Sequence, residues 1–288
     1  MIALERWTCE YDGLIMGADG APVQIREVDG LLSLPDMRSG DLELVQRHGL
    51  WPGDDYMNGR TVTLTLGVHG ETLEEFTGAL GAVQAAFCPG RKEKPLRFRF
   101  PGLTADREAF VSVRPRKRSA PLSVSFAARS CEVVVELFAT DPLIYGVDRR
   151  EVEVKSLVRP PLDGGLKLPA RMPWHIKGSS AAPPDPVTSF MQCGAVPARP
   201  EIHVMNAASP TLFDDATGWR FGVHYDGDFV IDSAAQTVTA IGGADITGLI
   251  KEGSVWPEYG FGKHLLRLVS RNQFTAAVAA FSWADRWL

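Results

Sequence analysis

The stretch His48–Val68, HGLWPGDDYMNGRTVTLTLGV, decides the fold of the N-terminal part of the chain. From residue 61 to residue 68, apolar residues occupy every even position and threonines occupy the first three odd positions. Successive side chains of a strand point to opposite faces, so this alternation predicts a strand with one buried face. The first half of the stretch is a glycine-rich loop that carries Trp51 and Tyr56 and leads through Asn58-Gly59-Arg60 into the strand.

A helix is expected directly after this strand. Apolar residues follow one another three and four positions apart from Leu73 to Phe87, which is the spacing of one helical face. Thr72 with Glu75 three residues later forms a capping box, and Cys88-Pro89-Gly90 ends the run. We interpret the apolar face as packing against a sheet.

The remaining patterns predict a mainly β (α+β) protein. A compact N-terminal unit, a β-sandwich or barrel-like domain with one helix, is expected over residues 1–150. Residues 151–200 are rich in proline and glycine and predict a linker or long loops. Residues 201–288 predict an all-β sandwich, with tight turns at Asp226-Gly227 and Gly242-Gly243. The predicted strands lie at 23–28, 61–68, 96–100, 109–113, 122–127, 132–139, 201–206, 228–231, 237–241, 265–269 and 274–283.

Composition argues against several classes of protein. The 288 residues carry a formal net charge of −5, so no global positive field favours nucleic acid binding. The four cysteines lie far apart without CxxC spacing, which predicts free thiols, with neither a metal site nor a disulfide framework. No run of about 20 apolar residues is present, so we expect no membrane insertion. The N-terminal residues do not resemble a signal peptide.

Motifs that carry chemistry are missing. The sequence has no GxSxG, no GxxxxGK[ST] and no GxGxxG after a strand, and its six histidines are scattered singly. Asp214-Asp215 are adjacent and would point to opposite faces of a strand, so they form no ready acid/base pair. We therefore predict no enzyme, no catalytic residue and no cofactor. A hydrolase built from dispersed carboxylates stays open, as does sugar stacking on Trp219 and Trp256.

Two passages carry a family resemblance. One is the loop and strand His48–Val68, and the other is Val135–Tyr145, in which Ala139-Thr-Asp-Pro142 halts a strand just before a tyrosine. In this order, with the capped helix between them, they resemble the distal tail proteins (Dit-like minor tail proteins) of long-tailed phages, particularly phages of actinobacteria. The resemblance covers about residues 1–150. More loosely, the part after Arg199 looks like the galectin-like β-sandwich of that family, while the proline-rich segment 158–200 has no counterpart.

The resemblance implies a structural virion protein, made in the host cytoplasm and located at the tail tip. It would form a homo-hexameric ring that joins the tail tube and tape-measure protein to the tail hub and host-binding proteins. The candidate oligomer interface is Trp51, Tyr56 and Arg60, since tryptophan, tyrosine and arginine dominate interface hot spots. The alternative function is a carbohydrate-binding β-sandwich module of a tail or cell-surface protein.

Overall fold

A computed structural model describes residues 3–44, 46–104, 106–158, 186–272 and 275–288. The sequence predicts a linker or long loops over residues 151–200. Residues 159–185, which make up more than half of that segment, lie outside the described residues. The chain divides into two compact units, Met1–Asp148 with Arg286–Leu288, and Arg149–Asp285. The fold is mainly β, which confirms the predicted fold class.

Within the described residues, twenty strands, two α-helices and one 3-10 helix follow one another along the chain. In the order of the first half they are β1 Thr8–Tyr11, β2 Leu14–Met16, β3 Val23–Asp29, β4 Met37–Ser39, β5 Leu42–Glu43, β6 Leu50–Trp51, β7 Asp55–Met57, β8 Arg60–His69, α1 Leu73–Ala86, β9 Lys94–Arg99, β10 Ala109–Ser119, α2 Val124–Ala127, β11 Ser130–Ala139 and β12 Ile144–Lys155. In the second half they are β13 Val187–Gln192, β14 Glu201–Ala208, β15 Thr211–Asp214, β16 Trp219–Gly222, β17 Asp226–Asp232, β18 Thr237–Ala240, a 3-10 helix Thr247–Leu249, β19 Gly262–Val269 and β20 Val278–Trp287.

The first unit is built on two antiparallel ladders that share β10. The early part of β10 pairs with β9, which continues to β1 and β2. From Arg114 onward, the later part of β10 pairs with β11, which continues to β8 and β3. A bulge between Pro115 and Lys117 lies within the β10–β11 pairing, where it inserts an extra residue and increases the local twist.

Strand β8 contributes the centre of the core, as its alternation predicts. Val62, Leu64, Leu66 and Val68 are fully buried, each worth roughly 1.5–3 kcal/mol of transfer free energy. Helix α1 packs on this face through Phe76 and Val83. Thr72 caps α1 by accepting a hydrogen bond from the amide of Glu75, as expected, while the Glu75 carboxylate accepts from the amide of Glu71.

One predicted strand is wrong. Residues 122–127 alternate as a strand would, yet Val124–Ala127 form the single helical turn α2. The turn brings the ring of Phe126 edge-on to Phe76 at 5.1 Å, which partly buries the aromatic side chain of the segment. Leu122 and Val124 are left exposed, so tertiary packing of one phenylalanine overrides the local alternation.

The second unit is a sandwich of two antiparallel sheets. One contains β18, β17, β14 and β20 in that order, and the other contains β13, β19, β15 and β16. Their inner faces enclose a core that includes Phe229, Phe281 and Trp283. None of the helices in the part of the chain that the structure describes is long and apolar enough to cross a membrane.

Candidate assembly surface

The loop that carries Trp51 and Tyr56 is a hairpin arm, formed by residues 36–44 and 46–57. Its strands pair in two short ladders, β4 with β7 and β5 with β6, which together extend it by about 20 Å. Every described residue of the arm except Leu44 is exposed. The exposed fractions of Leu42, Trp51 and Tyr56 are 67%, 65% and 58%.

Contacts within the arm hold its two strands together. The Asp41 carboxylate accepts a hydrogen bond of 2.9 Å from the amide of Gly53, and this bond, with a second from Ser39, holds the pKa of Asp41 below its ordinary value. The backbones of Gly40 and Gly53 approach so closely that a Cβ on Gly53 would lie 2.3 Å from the Gly40 carbonyl oxygen. The guanidinium of Arg38 lies 5.8 Å from the centre of the Tyr56 ring.

Arg60 anchors the root of the arm. Its side chain is buried, and its Nη1 lies 2.6, 2.9 and 2.9 Å from the carbonyl oxygens of Gly30, Leu31 and Ser33. Burial lowers the pKa of Arg60, but a guanidinium stays protonated in a protein. Arg60 therefore faces the interior, and any role at an interface is exerted by fixing the chain that leads into the arm.

The second motif meets the first at this root. Ala139 pairs with Arg60 in the β8–β11 ladder, and Arg60 Nε donates a hydrogen bond of 2.8 Å to the carbonyl of Pro142. Asp141 accepts from the amide of Leu143 and from the hydroxyl of Tyr145. Burial and the neighbouring Asp141 raise the pKa of Tyr145 to about 12. The two sequence motifs thus form one structural element, the root of the arm.

The arm presents a surface suited to association. A lone two-stranded hairpin is marginally stable in water, and here apolar side chains are uncovered on both of its faces. Contiguous exposed apolar surface marks an interaction site in a soluble protein. Within the described residues, no group of three or more potential ligands is placed to hold a metal ion.

The two tryptophans proposed for sugar stacking lie together in the second unit. Trp219 Nε1 donates a hydrogen bond of 3.0 Å to the carbonyl of Trp256. The ring of Trp256 lies 4.9 Å from that of Phe221, and both tryptophans are partly buried against the core. Their exposed ring area is thus limited, and sugar stacking stays a prediction.

A buried Asp214–His264 pair was not anticipated from the sequence. The Asp214 Oδ2 and His264 Nδ1 atoms are 2.6 Å apart, and Nε2 donates to the Gly260 carbonyl at 2.8 Å. Burial raises the pKa of Asp214, but hydrogen bonds from His264, from the amides of Leu265 and Ala216 and from Thr217 outweigh it and lower the pKa overall. Both side chains are nearly inaccessible, which suits a structural pair. Asp215 lies on the surface against Arg267 instead.

Comparison with known proteins gives a likeness in structure alone. No family model matches the chain, and no curated protein matches it in sequence. The crystal structure of the Dit protein (gp 19.1) of phage SPP1 superposes with a TM-score of 0.60 at 15% identity, covering 98% of this chain and 99% of that one. That protein is described as a paradigm of the hub adsorption apparatus in phages that infect Gram-positive bacteria.

Two weaker likenesses complete the comparison. The activated baseplate of phage P2 with Ca gives a TM-score of 0.42 at 9% identity over 95% of this chain and 94% of that one. The same baseplate with Sr gives 0.42 at 9% identity over 96% and 97%. Both values are too low to carry an argument. The SPP1 likeness covers 98% of this chain and shows a similarity of fold.

Proposed function

We propose that this chain is a structural subunit of a phage tail tip. In the proposal it forms a homo-hexameric ring in the virion, between the tail tube and tape-measure protein on one side and the hub and host-binding proteins on the other. The observation that carries the proposal is the whole-length likeness to the SPP1 Dit protein. The earlier resemblance of the two N-terminal motifs to actinobacterial phage proteins supports the same class.

The arm supports contact between copies. Its apolar side chains find no cover in their own chain among the described residues, so another surface is needed to remove them from water. An extended element that docks on a different part of a neighbouring copy makes a heterologous interface, and such interfaces close into rings when the rotation permits. Trp51 and Tyr56 are the expected hot spots of that interface.

The chemical groups of the Asp214–His264 pair and of the arm are also consistent with a structural role. The buried Asp214–His264 pair has no access for a substrate, because both side chains are about 3% exposed or less. The arm and its root present apolar, backbone and ion-pairing groups, which serve association. We therefore propose a protein without enzymatic activity.

The proposal is tested by measuring the mass of the assembled protein. We expect light scattering to give six times the chain mass of 31.4 kDa, and negative-stain micrographs to show rings. The double variant Trp51→Ala, Tyr56→Ala should stay folded, since exposed substitutions change stability by about 0.5 kcal/mol or less, yet should dissociate. Antibodies against the chain should label the tail tip of phage particles.

A matched control lies outside the arm. Phe261 is 77% exposed in the second unit, and Phe261→Ala should leave the assembly mass unchanged. A wild-type chain that remains monomeric at high concentration, and that antibodies do not find at the tail tip, would contradict the proposed function.

A further inference from the structure

The first unit carries a segment of concentrated positive charge. From Ala109 to Cys131 the sequence has five basic residues and no acidic residue. Four of the five lie within residues 114–118, at the later end of β10. Arg91 and Lys92 lie nearby, because Lys94 pairs with Val113 in the β9–β10 ladder. The basic patch, defined as Arg91, Lys92, Arg116, Lys117 and Arg118, is exposed.

Carboxylates do not neutralise this patch. Many cations elsewhere in the described residues are paired, for example Lys94 with Asp12 at 2.6 Å and Arg26 with Glu132 at 3.0 Å. Arg116 instead lies over the ring of Phe138, and Arg118 donates to the backbone carbonyl of Gln84 near the end of α1.

Glu136 is the acidic residue opposite Lys117 in the β10–β11 ladder, and no ion pair joins the two among the described residues. The positive charge of the patch is therefore available to a partner.

Exposed apolar side chains follow the basic patch closely in the sequence. Leu122 and Val124 lie three and five residues beyond the end of β10 at Ser119, and they are 82% and 90% exposed. They are uncovered because α2 turns Phe126 inward and leaves its other apolar residues in water. The acceptor surface, which we define as the basic patch with Leu122 and Val124, thus combines positive charge with apolar area.

The arm has the opposite charge and the same mixed character. It carries five acidic residues, Asp36, Asp41, Glu43, Asp54 and Asp55, against two arginines, a net charge of 2 − 5 = −3 with histidine neutral. Leu42, Leu50 and Trp51 are exposed beside these carboxylates. Opposite potentials with matching apolar area steer two surfaces together and fix their register.

We infer that the arm of one copy docks on the acceptor surface of the next copy. This inference rests on the proposed ring and names the surface that receives the arm. The carboxylates of Asp54 and Asp55 would face the basic patch, while Trp51 would cover Leu122 or Val124. A second copy of this chain is the favoured occupant because the complementary charge and apolar area are both on this chain. A free polyanion would leave the apolar part uncovered.

Charge reversal and restoration test the inference on the full chain. Arg116→Glu with Lys117→Glu, and separately Asp54→Lys with Asp55→Lys, should each raise the dissociation constant between copies about tenfold or more, since like charges then meet. An equimolar mixture of the two variants should regain mixed assemblies, because each contains one surface that complements the other. The wild-type assembly should also weaken as salt rises from 0.05 to about 0.5 M, where screening is strong.

Control variants and outcomes separate the inference from the proposed function. Lys263→Glu, an exposed reversal in the second unit, should not change the dissociation constant. Two outcomes would overturn the inference without contradicting the proposed ring. One is that both charge-reversal variants still form assemblies of wild-type mass. The other is that Trp51 crosslinks to the groove of about 490 Å³ beside Trp7 and Leu32. Binding of a short DNA duplex through Arg116 and Lys117, with assembly unaffected by their reversal, would also overturn it. A wild-type chain that never associates would overturn both.

Discussion

Replacing Arg60 by methionine should destabilise the first unit and release the root of the arm. Methionine is also long and unbranched, so the change removes mainly the charge and its hydrogen bonds. Arg60 bridges Pro142 on one side and the carbonyls of Gly30, Leu31 and Ser33 on the other. No other described side chain bonds both segments.

The size of the effect follows from these contacts. Arg60 Nε donates one hydrogen bond, to the carbonyl of Pro142. Arg60 Nη1 has two hydrogens but lies near three carbonyl oxygens, so the side chain makes about three hydrogen bonds of good geometry. Hydrogen bonds to a charged group contribute about 1.5–3 kcal/mol each, while burying the guanidinium costs several kcal/mol. We expect a net loss of about 3–5 kcal/mol, because the variant leaves backbone carbonyls at this partly buried site without a donor, at a cost of about 1–3 kcal/mol each.

Urea unfolding of the full chain, followed by tryptophan fluorescence and circular dichroism, measures this loss. The matched control is Arg38→Met, which removes an exposed arginine of the arm and should change stability by about 0.5 kcal/mol or less. Limited proteolysis should cut the arm of the Arg60 variant faster than that of the wild type. A loss below about 1 kcal/mol, with unchanged proteolysis, would refute the anchoring role.

Three further predictions concern other parts of the chain. Burial raises the pKa of Asp214, but the hydrogen bonds that its carboxylate accepts lower that pKa overall. The ionised carboxylate therefore stabilises the folded protein above about pH 4, and this stabilisation is lost as the pH falls through the folded-state pKa of Asp214. Urea midpoints between pH 6 and 2 should show this loss, and Asp214→Asn should flatten it; an unchanged slope would exclude the assignment. Burial raises the pKa of Cys9 to about 12, so a thiol reagent should modify exposed Cys88 in the folded protein and reach Cys9 only on unfolding. Equal rates for both thiols would contradict the buried placement. If sugar stacking occurs, the protein should bind cell-wall glycans, and Trp256→Ala should weaken that binding. Trp219→Ala should weaken it too and should also lower stability, because it removes an indole hydrogen bond. Glycan binding that is unchanged in both variants would exclude these two tryptophans as the sugar-binding site.

The sequence predicted the elements whose pattern is local and periodic. The alternation in β8 and the three-and-four spacing in α1 each specify one buried face, and the structure confirms both. It failed at residues 122–127, where alternation was outweighed by the packing of Phe126 on Phe76. The placement of Trp51 and Tyr56 on an exposed hairpin was predictable from the glycines around them, but the burial of Arg60 was not.

The sequence by itself determined a mainly β chain, its capped helix and an aromatic loop, because strands and helices record their faces in residues only two to four positions apart. The tertiary structure decided what joins distant positions. Arg60 bonds a carbonyl 82 residues away, and Asp214 bonds a histidine 50 residues away. Neither partner leaves a periodic trace in the sequence, since such contacts depend on how the ladders are paired. The same pairing gathers the basic residues near 91 and 116 into one patch, and within the His48–Val68 stretch it anchors the exposed arm to the buried strand β8.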